Sequence, residues 1–345
     1  MIKEKLQNAA AGIKEAAQDW LGNGALVKGV GVVAAIYIVI SLILGVYWSM
    51  TPDYPETSYY QDQPSQPVIG STTTTALIDV AEILLDKPGG FIYNDITLPG
   101  LLMDNMPSWE YGVLIQVRDM NRAFRESFSR SQSQSQEDVD LARAEPRFNF
   151  SANSWAVPAS ESEYRAGVKF LKSYRSRLSD VNETQAQFFA RADNLRYWLA
   201  VVENRLGSLS QRLGASVGRT RVNTDLANDP VAQQSTPAPS ESRVKTPWMD
   251  IDNVFFEARG SCWALIHFLR AVEVDFANVL QNKNALVSLR QIIRELEGTQ
   301  QTVYSPMILN GSGFGLLANH SLVMASYISR ANAAIIDLRD LLSQG

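Results

Sequence analysis

The stretch FFARADNLRYWLAVVENRLGSLSQRL, residues 188–213, decides the fold class. Its apolar side chains recur at alternating spacings of four and three residues: Phe188, Ala192, Leu195, Leu199, Val202, Leu206, Leu209 and Leu213. These spacings place the side chains on one face of an α-helix, and their seven-residue repeat is typical of a helix that packs lengthwise against another. The sequence therefore predicts a long helix with a continuous apolar seam.

Three later segments carry a similar pattern, in residues 251–279, 286–296 and 317–342. Several helices with seams and short connections indicate a bundle rather than a layered α/β fold. We predict an all-α fold, in which an N-terminal transmembrane helix precedes an elongated antiparallel helical bundle. Coiled-coil pairing between copies of the chain is the alternative explanation of the seams, so a homo-oligomer stays open.

One short region departs from the helical pattern. Apolar residues alternate in residues 148–150 and 155–157, on either side of the polar stretch Ser151 to Ser154. Alternation of this kind around a polar turn favours a small β-hairpin.

The composition excludes several classes of protein. The chain has 345 residues with 31 basic and 36 acidic side chains, a net charge of −5, so it lacks the basic character of a nucleic-acid-binding domain. Its one cysteine, Cys262, has no intrachain disulfide partner, and two histidines are too few for a histidine-rich metal site. We expect no metal, no cofactor and no nucleic-acid partner.

Residues 29–48, with the sequence GVGVVAAIYIVISLILGVYW, have no formal charge. Twenty helical residues span the hydrocarbon core of a bilayer, about 30 Å thick. A cleaved signal peptide is the alternative, but its apolar region is usually about 7–15 residues long. Lysines precede the segment, and none follows Lys28 before Lys87. This bias predicts a single-pass anchor with a cytoplasmic N-terminus and the remaining chain outside the cytoplasm.

The segments on either side of the span differ in character. Residues 1–28 are predicted to form a cytoplasmic amphipathic segment, and the proline-containing residues 49–74 a stalk that lifts the domain from the bilayer. The bundle is expected in two parts, residues 75–218 and 248–345. Between them, residues 219–247 are rich in Pro, Asn, Gln and Ser and are predicted to form a linker.

A glycine-rich loop before the last helix is the best candidate for a ligand site. Asn310, Gly311, Gly313 and Gly315 belong to the stretch NGSGFG, and such a loop exposes backbone N–H groups that can hold an anion. The spacing is neither that of a dinucleotide-binding fingerprint nor that of a P-loop. His320 follows within the helix and is the candidate acid or base. The alternative is a tight loop between packed helices, with His320 satisfying backbone groups.

Other residues with potential chemistry fit a core better than a site. Cys262 occupies a seam position, where a nucleophile would not meet a substrate. His267 lies in an apolar run and is expected to be a buried, hydrogen-bonded histidine. No catalytic residue is assigned.

Four motifs resemble those of a known bacterial family. They are LDKPGG (residues 85–90), DNMPSWEYG (104–112), FFEARG (255–260) and SPMILNGSGFG (305–315). The chain is similar at these motifs to domain of unknown function 2333, a family of single-span proteins from Gram-negative bacteria. The resemblance implies an inner-membrane protein with a periplasmic domain and implies no activity.

The favoured hypothesis is a membrane-anchored periplasmic helical scaffold that binds a partner, an envelope protein that the sequence does not identify. One alternative is an envelope hydrolase that uses His320 and the glycine-rich loop. The other is a bundle that binds a lipid or another apolar ligand. A carboxylate converging with His320 in an open pocket would favour the enzyme.

Overall fold

The computed structural model describes residues 25–56, 59–60, 68–131, 136–180, 182, 185–222, 241–304, 307–312 and 315–344. Within these residues the chain forms ten α-helices and one two-stranded antiparallel sheet. The elements are α1 (Ala25–Trp48), α2 (Ser71–Asp86), α3 (Asn105–Ala123), α4 (Val139–Phe148), α5 (Ser160–Leu178), α6 (Ala192–Gly214), β1 (Arg219–Val222), β2 (Glu241–Val244), α7 (Ile251–Asp275), α8 (Ala277–Asn282), α9 (Leu286–Gly298) and α10 (His320–Ser343). The predicted all-α class and helical bundle are confirmed. Residues 1–24, most of the predicted amphipathic segment, lie outside the described residues.

The predicted seams lie in the interior except at some of their ends, such as Leu317, which is 65% exposed. In α6, the six seam positions from Leu195 to Leu213 are at most 5% exposed. The seam of α7 is also buried, but Trp263, Ile266 and Phe268, which lie off that seam, are buried as well. A helix that is apolar on every face is covered on every face. Helix α7 is therefore the central element of the bundle.

Within this bundle the central pair is an exception to the antiparallel arrangement, because α3 and α7 run parallel. The rings of Trp109, near the start of α3, and Trp263, in the middle of α7, are 5.1 Å apart, and those of Phe128 and Phe276, beyond the ends of the two helices, are 5.5 Å apart. Both helices therefore run from the first contact towards the second. Three helices, α4, α5 and α6, lie between them in the chain, and each reverses the chain direction. An odd number of intervening helices brings α7 back into the direction of α3.

The other neighbouring helices pair antiparallel, which gathers many helix ends together. Arg205 of α6 bonds Asp119 of α3 at 2.7 Å, and Arg270 of α7 bonds Glu297 of α9 at 2.6 Å. The starts of α3, α5, α7 and α10 and the ends of α2, α6 and α9 consequently share one end of the bundle. Trp48, the last residue of α1, packs there against Gly89. We call this the α1 end.

Two parts of the sequence form one core. Buried side chains from residues 75–218 and from residues 248–345 belong to a single hydrophobic cluster. Within the predicted linker, β1 and β2 pair with Arg219 opposite Val244 and Val222 opposite Glu241. Residues 223–240 between the strands lie outside the described residues. The hairpin holds the two ends of that segment together.

The prediction of a β-hairpin in residues 148–157 is wrong. Phe148 ends α4, and the following residues form turns. Arg118 donates hydrogen bonds to the carbonyl oxygens of Phe148 and Phe150, at 2.7 and 2.9 Å, and Ser160 donates to Ser151 O at 2.8 Å. These side chains satisfy the carbonyl groups that a strand partner would otherwise satisfy.

The segment predicted as a stalk is docked in its described residues instead of extending away from the domain. Helix α2 begins at Ser71, four residues earlier than predicted. The indole N–H of Trp263 donates to the Asp53 carbonyl oxygen at 3.1 Å, and the buried Tyr60 hydroxyl lies 2.8 Å from His267 Nδ1. Trp263 and His267 are four residues apart on α7, so they present one face to this segment.

Candidate functional site

The glycine-rich loop is closed by its own hydrogen bonds. The Gly311 N–H donates to Ala318 O at 3.0 Å, and the Asn319 side-chain amide donates to Asn310 Oδ1 and Gly311 O, at 2.9 and 2.6 Å. Asn310 in turn donates to Ser216 O at 3.0 Å. Gly315 is exposed, and Gly313 lies outside the described residues. These hydrogen bonds occupy the Gly311 N–H group, which an anion would need as a donor. Anion binding by the loop stays a prediction.

His320 is the first residue of α10 and contributes to the same closure. Its Nδ1 accepts a hydrogen bond from the Leu309 N–H at 3.0 Å, and its own N–H donates to Leu309 O at 3.0 Å. The ring lines a pocket of about 360 Å³ whose other walls include Phe255, Met324 and Tyr327. None of the described residues that line this pocket is a carboxylate. The arrangement satisfies backbone groups and lacks a partner acid for hydrolysis.

Cys262 and His267 lie in the core. Burial raises the pKa of the Cys262 thiol to about 12, which leaves it protonated. Burial, together with the smaller effect of the nearby Arg270, lowers the pKa of His267 to about 3. His267 is therefore a neutral ring held by Tyr60. Both positions match the sequence-based expectation of buried side chains.

The glycines of two sequence motifs mark a close helix crossing. Gly112 of α3 faces the backbone of α7, where a methyl group would overlap the Glu257 carbonyl oxygen, and Gly260 faces the Trp109 carbonyl oxygen in the same way. Ser261 Oγ donates to Gly112 O at 3.1 Å across the crossing. The motifs DNMPSWEYG and FFEARG thus bring two backbones into contact.

A buried ion pair joins two of the motifs. Lys87 Nζ lies 2.5 Å from Glu110 Oε1, and both side chains are at most 1% exposed. Glu110 also accepts hydrogen bonds from the N–H groups of Ile92 and Tyr93, and Lys87 donates to Gly90 O at 2.6 Å. Burial raises the pKa of Glu110, while Lys87 and these N–H groups favour the carboxylate. The pair fixes the loop on which α1 packs.

A polar crevice between α3, α6 and α7 is the strongest candidate site. It has a volume of about 320 Å³ and is lined by Tyr111, Gln116, Arg205, Ser208, Arg212 and Glu257, among others. It adjoins a cleft of about 790 Å³ beside β1 and β2, because Arg212 and Glu257 line both. The crevice and the cleft are therefore neighbours that share the Arg212–Glu257 pair.

Gln116 gives the crevice an unused hydrogen-bonding group. Its side chain is 1% exposed, and neither its amide nitrogen nor its amide oxygen has a partner among the described residues. A buried amide without partners costs about 1–3 kcal/mol. Gln116 is thus positioned to donate to and accept from a group that enters the crevice.

The charged side chains around Gln116 are already paired. Arg212 makes two hydrogen bonds of 2.6 Å to Glu257, and Arg205 makes bonds of 2.7 and 3.1 Å to Asp119. These carboxylates hold the pKa values of both arginines above their ordinary value. Because each positive charge is balanced, the crevice suits a neutral polar group, such as a peptide amide, better than an anion.

Sequence reasoning missed this crevice. Its residues come from three helices, and only the parallel arrangement of α3 and α7 brings them together. Gln116 carried a weak signal, because it interrupts the apolar stripe that includes Val113 and Val117. A glutamine at such a position is unremarkable without knowledge of what faces it.

A family model described as "Uncharacterized protein conserved in bacteria (DUF2333)" matches residues 20–345. All four motifs lie within the matched range, so the resemblance found in the sequence is confirmed. No curated protein and no solved structure was found to match the chain.

Proposed function

Because the chain belongs to the DUF2333 family, whose description names no activity, we propose its function from its own structure. It is a single-span protein of the bacterial inner membrane. Its helical domain lies in the periplasm and serves as a scaffold that binds an envelope protein. The unpartnered Gln116 in the crevice carries the binding part of this proposal.

Helix α1 supports the anchor. Its residues Gly29–Trp48 have a mean hydropathy of 2.6, and only 6% of its most apolar window is buried. A core helix of that composition would be covered by the bundle, so exposure favours a lipid environment. Gly45 and Trp48 also pack against residues of the domain, Pro99 and Gly89. Such contacts favour a retained anchor over a cleaved signal sequence.

The crevice supports a protein partner. A peptide group offers one donor and one acceptor, which matches the free amide of Gln116. The adjoining cleft of about 790 Å³ has room for the residues on either side of that peptide group. Binding would satisfy the buried amide of Gln116, and this gain adds to the affinity.

Site-specific photo-crosslinking in living cells tests the proposal. Benzoylphenylalanine at Ser208, on the rim of the crevice, is expected to give a discrete adduct with a protein, and the same probe at Lys169 on α5 is not. Gln116→Leu should abolish the adduct while the thermal stability is retained or increased, because an unpartnered amide is removed.

Asn121→Leu is the matched control. Asn121 is also buried on α3 with an unpartnered amide among the described residues, but it does not line the crevice. This variant should keep the adduct. Equal adducts from Gln116→Leu and the unmodified chain would contradict the role of the crevice.

One observation favours a second candidate function. The pocket beside His320 is lined mainly by apolar groups, including Phe255, Val303, Val323 and Met324. An apolar pocket of about 360 Å³ fits part of a lipid chain. Extraction of the purified protein followed by lipid mass spectrometry would detect a ligand retained there, and a Met324→Trp variant should lose it.

A further inference from the structure

Exposed apolar side chains concentrate at the α1 end. Outside α1, most of the large apolar side chains that are exposed among the described residues belong to segments that join helices at this end. The most exposed pairs are Leu101 and Leu102, Trp248 and Met249, and Leu316 and Leu317. They precede α3, α7 and α10, respectively. We call these six residues the apolar loop surface.

The first of these segments lies along α1 itself. The Tyr37 hydroxyl donates to the Leu98 carbonyl oxygen at 3.4 Å, and Pro99 packs against Gly45. Gly45 precedes Trp48 by three residues, about 4.5 Å along a helix axis. A segment that packs against Gly45 and reaches the Tyr37 hydroxyl therefore lies at the depth of the outer part of the span. Leu101 and Leu102, which follow Pro99, are 60% and 78% exposed.

We propose that the apolar loop surface inserts into the outer leaflet of the bilayer that α1 spans. This inference rests on the proposed membrane anchor. The occupant is the acyl-chain region of lipid, because α1 sets the depth of the neighbouring loop and the other two segments share its end of the bundle. The domain is then bound to the membrane at its base and not only through one helix.

Charge contributes little to this contact. Arg243 and Lys245 are exposed near Trp248, but Asp250, Asp252 and Asp104 lie at the same end. Coulombic repulsion from Asp104 and Asp250, together with burial as the larger cause, raises the pKa of Asp252. With both signs present, insertion depends on apolar area rather than on attraction to anionic headgroups. Contact with lipid should therefore change little with salt.

Depth-dependent quenching on the full chain in proteoliposomes tests the proposal. Cysteine is introduced as Leu102→Cys, Trp248→Cys or Leu317→Cys and labelled with an environment-sensitive fluorophore, while the buried Cys262 is replaced by Ala. We expect emission shifted to shorter wavelength and a loss of intensity when spin-labelled phosphatidylcholine is added. Val287→Cys is exposed at the opposite end, as the second residue of α9, and should show water-like emission without quenching.

A label at Val39→Cys in α1 tests the membrane anchor on its own, so its failure can be distinguished from failure of the loop surface to insert. Quenching at Val39 without quenching at the three loop positions overturns the inference and leaves the anchor intact. Absence of quenching at all four positions overturns both. Short-wavelength emission at the loops that lipid quenchers do not reduce would show that a second copy of the chain covers the surface, which also overturns the inference.

Discussion

Some residues of types that often act in catalysis have a structural role in this protein. His267 is the clearest example, because its ring is buried among Tyr60, Trp263 and Arg270 and its Nε2 has no partner among the described residues. The environment stabilises the neutral ring only. A buried neutral histidine makes folding sensitive to acid.

We expect His267 to reduce stability as the pH falls. The unfolded chain binds a proton at His267 near pH 6.5, whereas the folded protein does so only near its lowered pKa of about 3. The unfolded state therefore holds more protons between these values, and the free energy of unfolding decreases by about 2 kcal/mol from pH 7.5 to pH 5.

Urea unfolding of the wild type and of His267→Gln at the two pH values measures this contribution. The variant should lose about 2 kcal/mol less on acidification, since glutamine does not titrate. Buried acids such as Asp275 contribute equally to both proteins. Their contribution therefore drops out when the two changes in the free energy of unfolding are subtracted. Equal losses would contradict the assignment.

At the scale of helices, the spacing of apolar residues predicted where the helices lie in the sequence. It did not predict which helices pack against each other. The seam from Leu195 to Leu213 identified α6 and its buried face, because burial on one face leaves a regular trace in the sequence. The parallel pairing of α3 and α7 leaves no such trace, since it depends on the number of helices between them. The crevice around Gln116 was missed for the same reason. The docking of Tyr60 on α7 was missed because one aromatic residue in a proline-containing segment has no periodicity.

The crossing of α3 and α7 predicts an asymmetric response to alanine. Gly112→Ala should destabilise the protein by about 1–3 kcal/mol or more, because the new methyl group meets the backbone of Glu257, which is not free to move aside. Gly207→Ala on α6 is the control. Its new methyl group has room beside Asn332, so it should gain up to about 1 kcal/mol from helix propensity.

Equilibrium unfolding in urea measures both variants. If Gly112→Ala were as stable as the wild type, or if both alanine variants changed the stability by the same amount, the close contact of the two backbones at Gly112 would be contradicted.

At the scale of the whole molecule, the two sequence segments predicted as separate parts of the bundle share one core. The hairpin formed by β1 and β2 holds the two ends of the intervening segment close together. All the features argued here for function, the crevice, the apolar pocket and the apolar loop surface, lie toward the α1 end.

The orientation of the whole chain is open to a direct test. Basic residues before the apolar stretch Gly29–Trp48, and their absence from Gly29 to Asp86, predict that the C-terminus lies outside the cytoplasm. An alkaline phosphatase reporter fused after Gly345 should be active, and a fluorescent protein that matures only in the cytoplasm should be dark at the same position. The reverse pattern would contradict the periplasmic location.

The attachment of Asp53 and Tyr60 to α7 has a consequence for how far the domain lies from α1. A free proline-containing segment would act as a tether and let the domain search a volume far from its anchor. Here Asp53 and Tyr60 are attached to the central helix, so there is little slack between the anchor and the domain. With α1 as the proposed membrane anchor, the domain would stay close to the bilayer, and the proposed partner would have to come to the membrane surface to meet it.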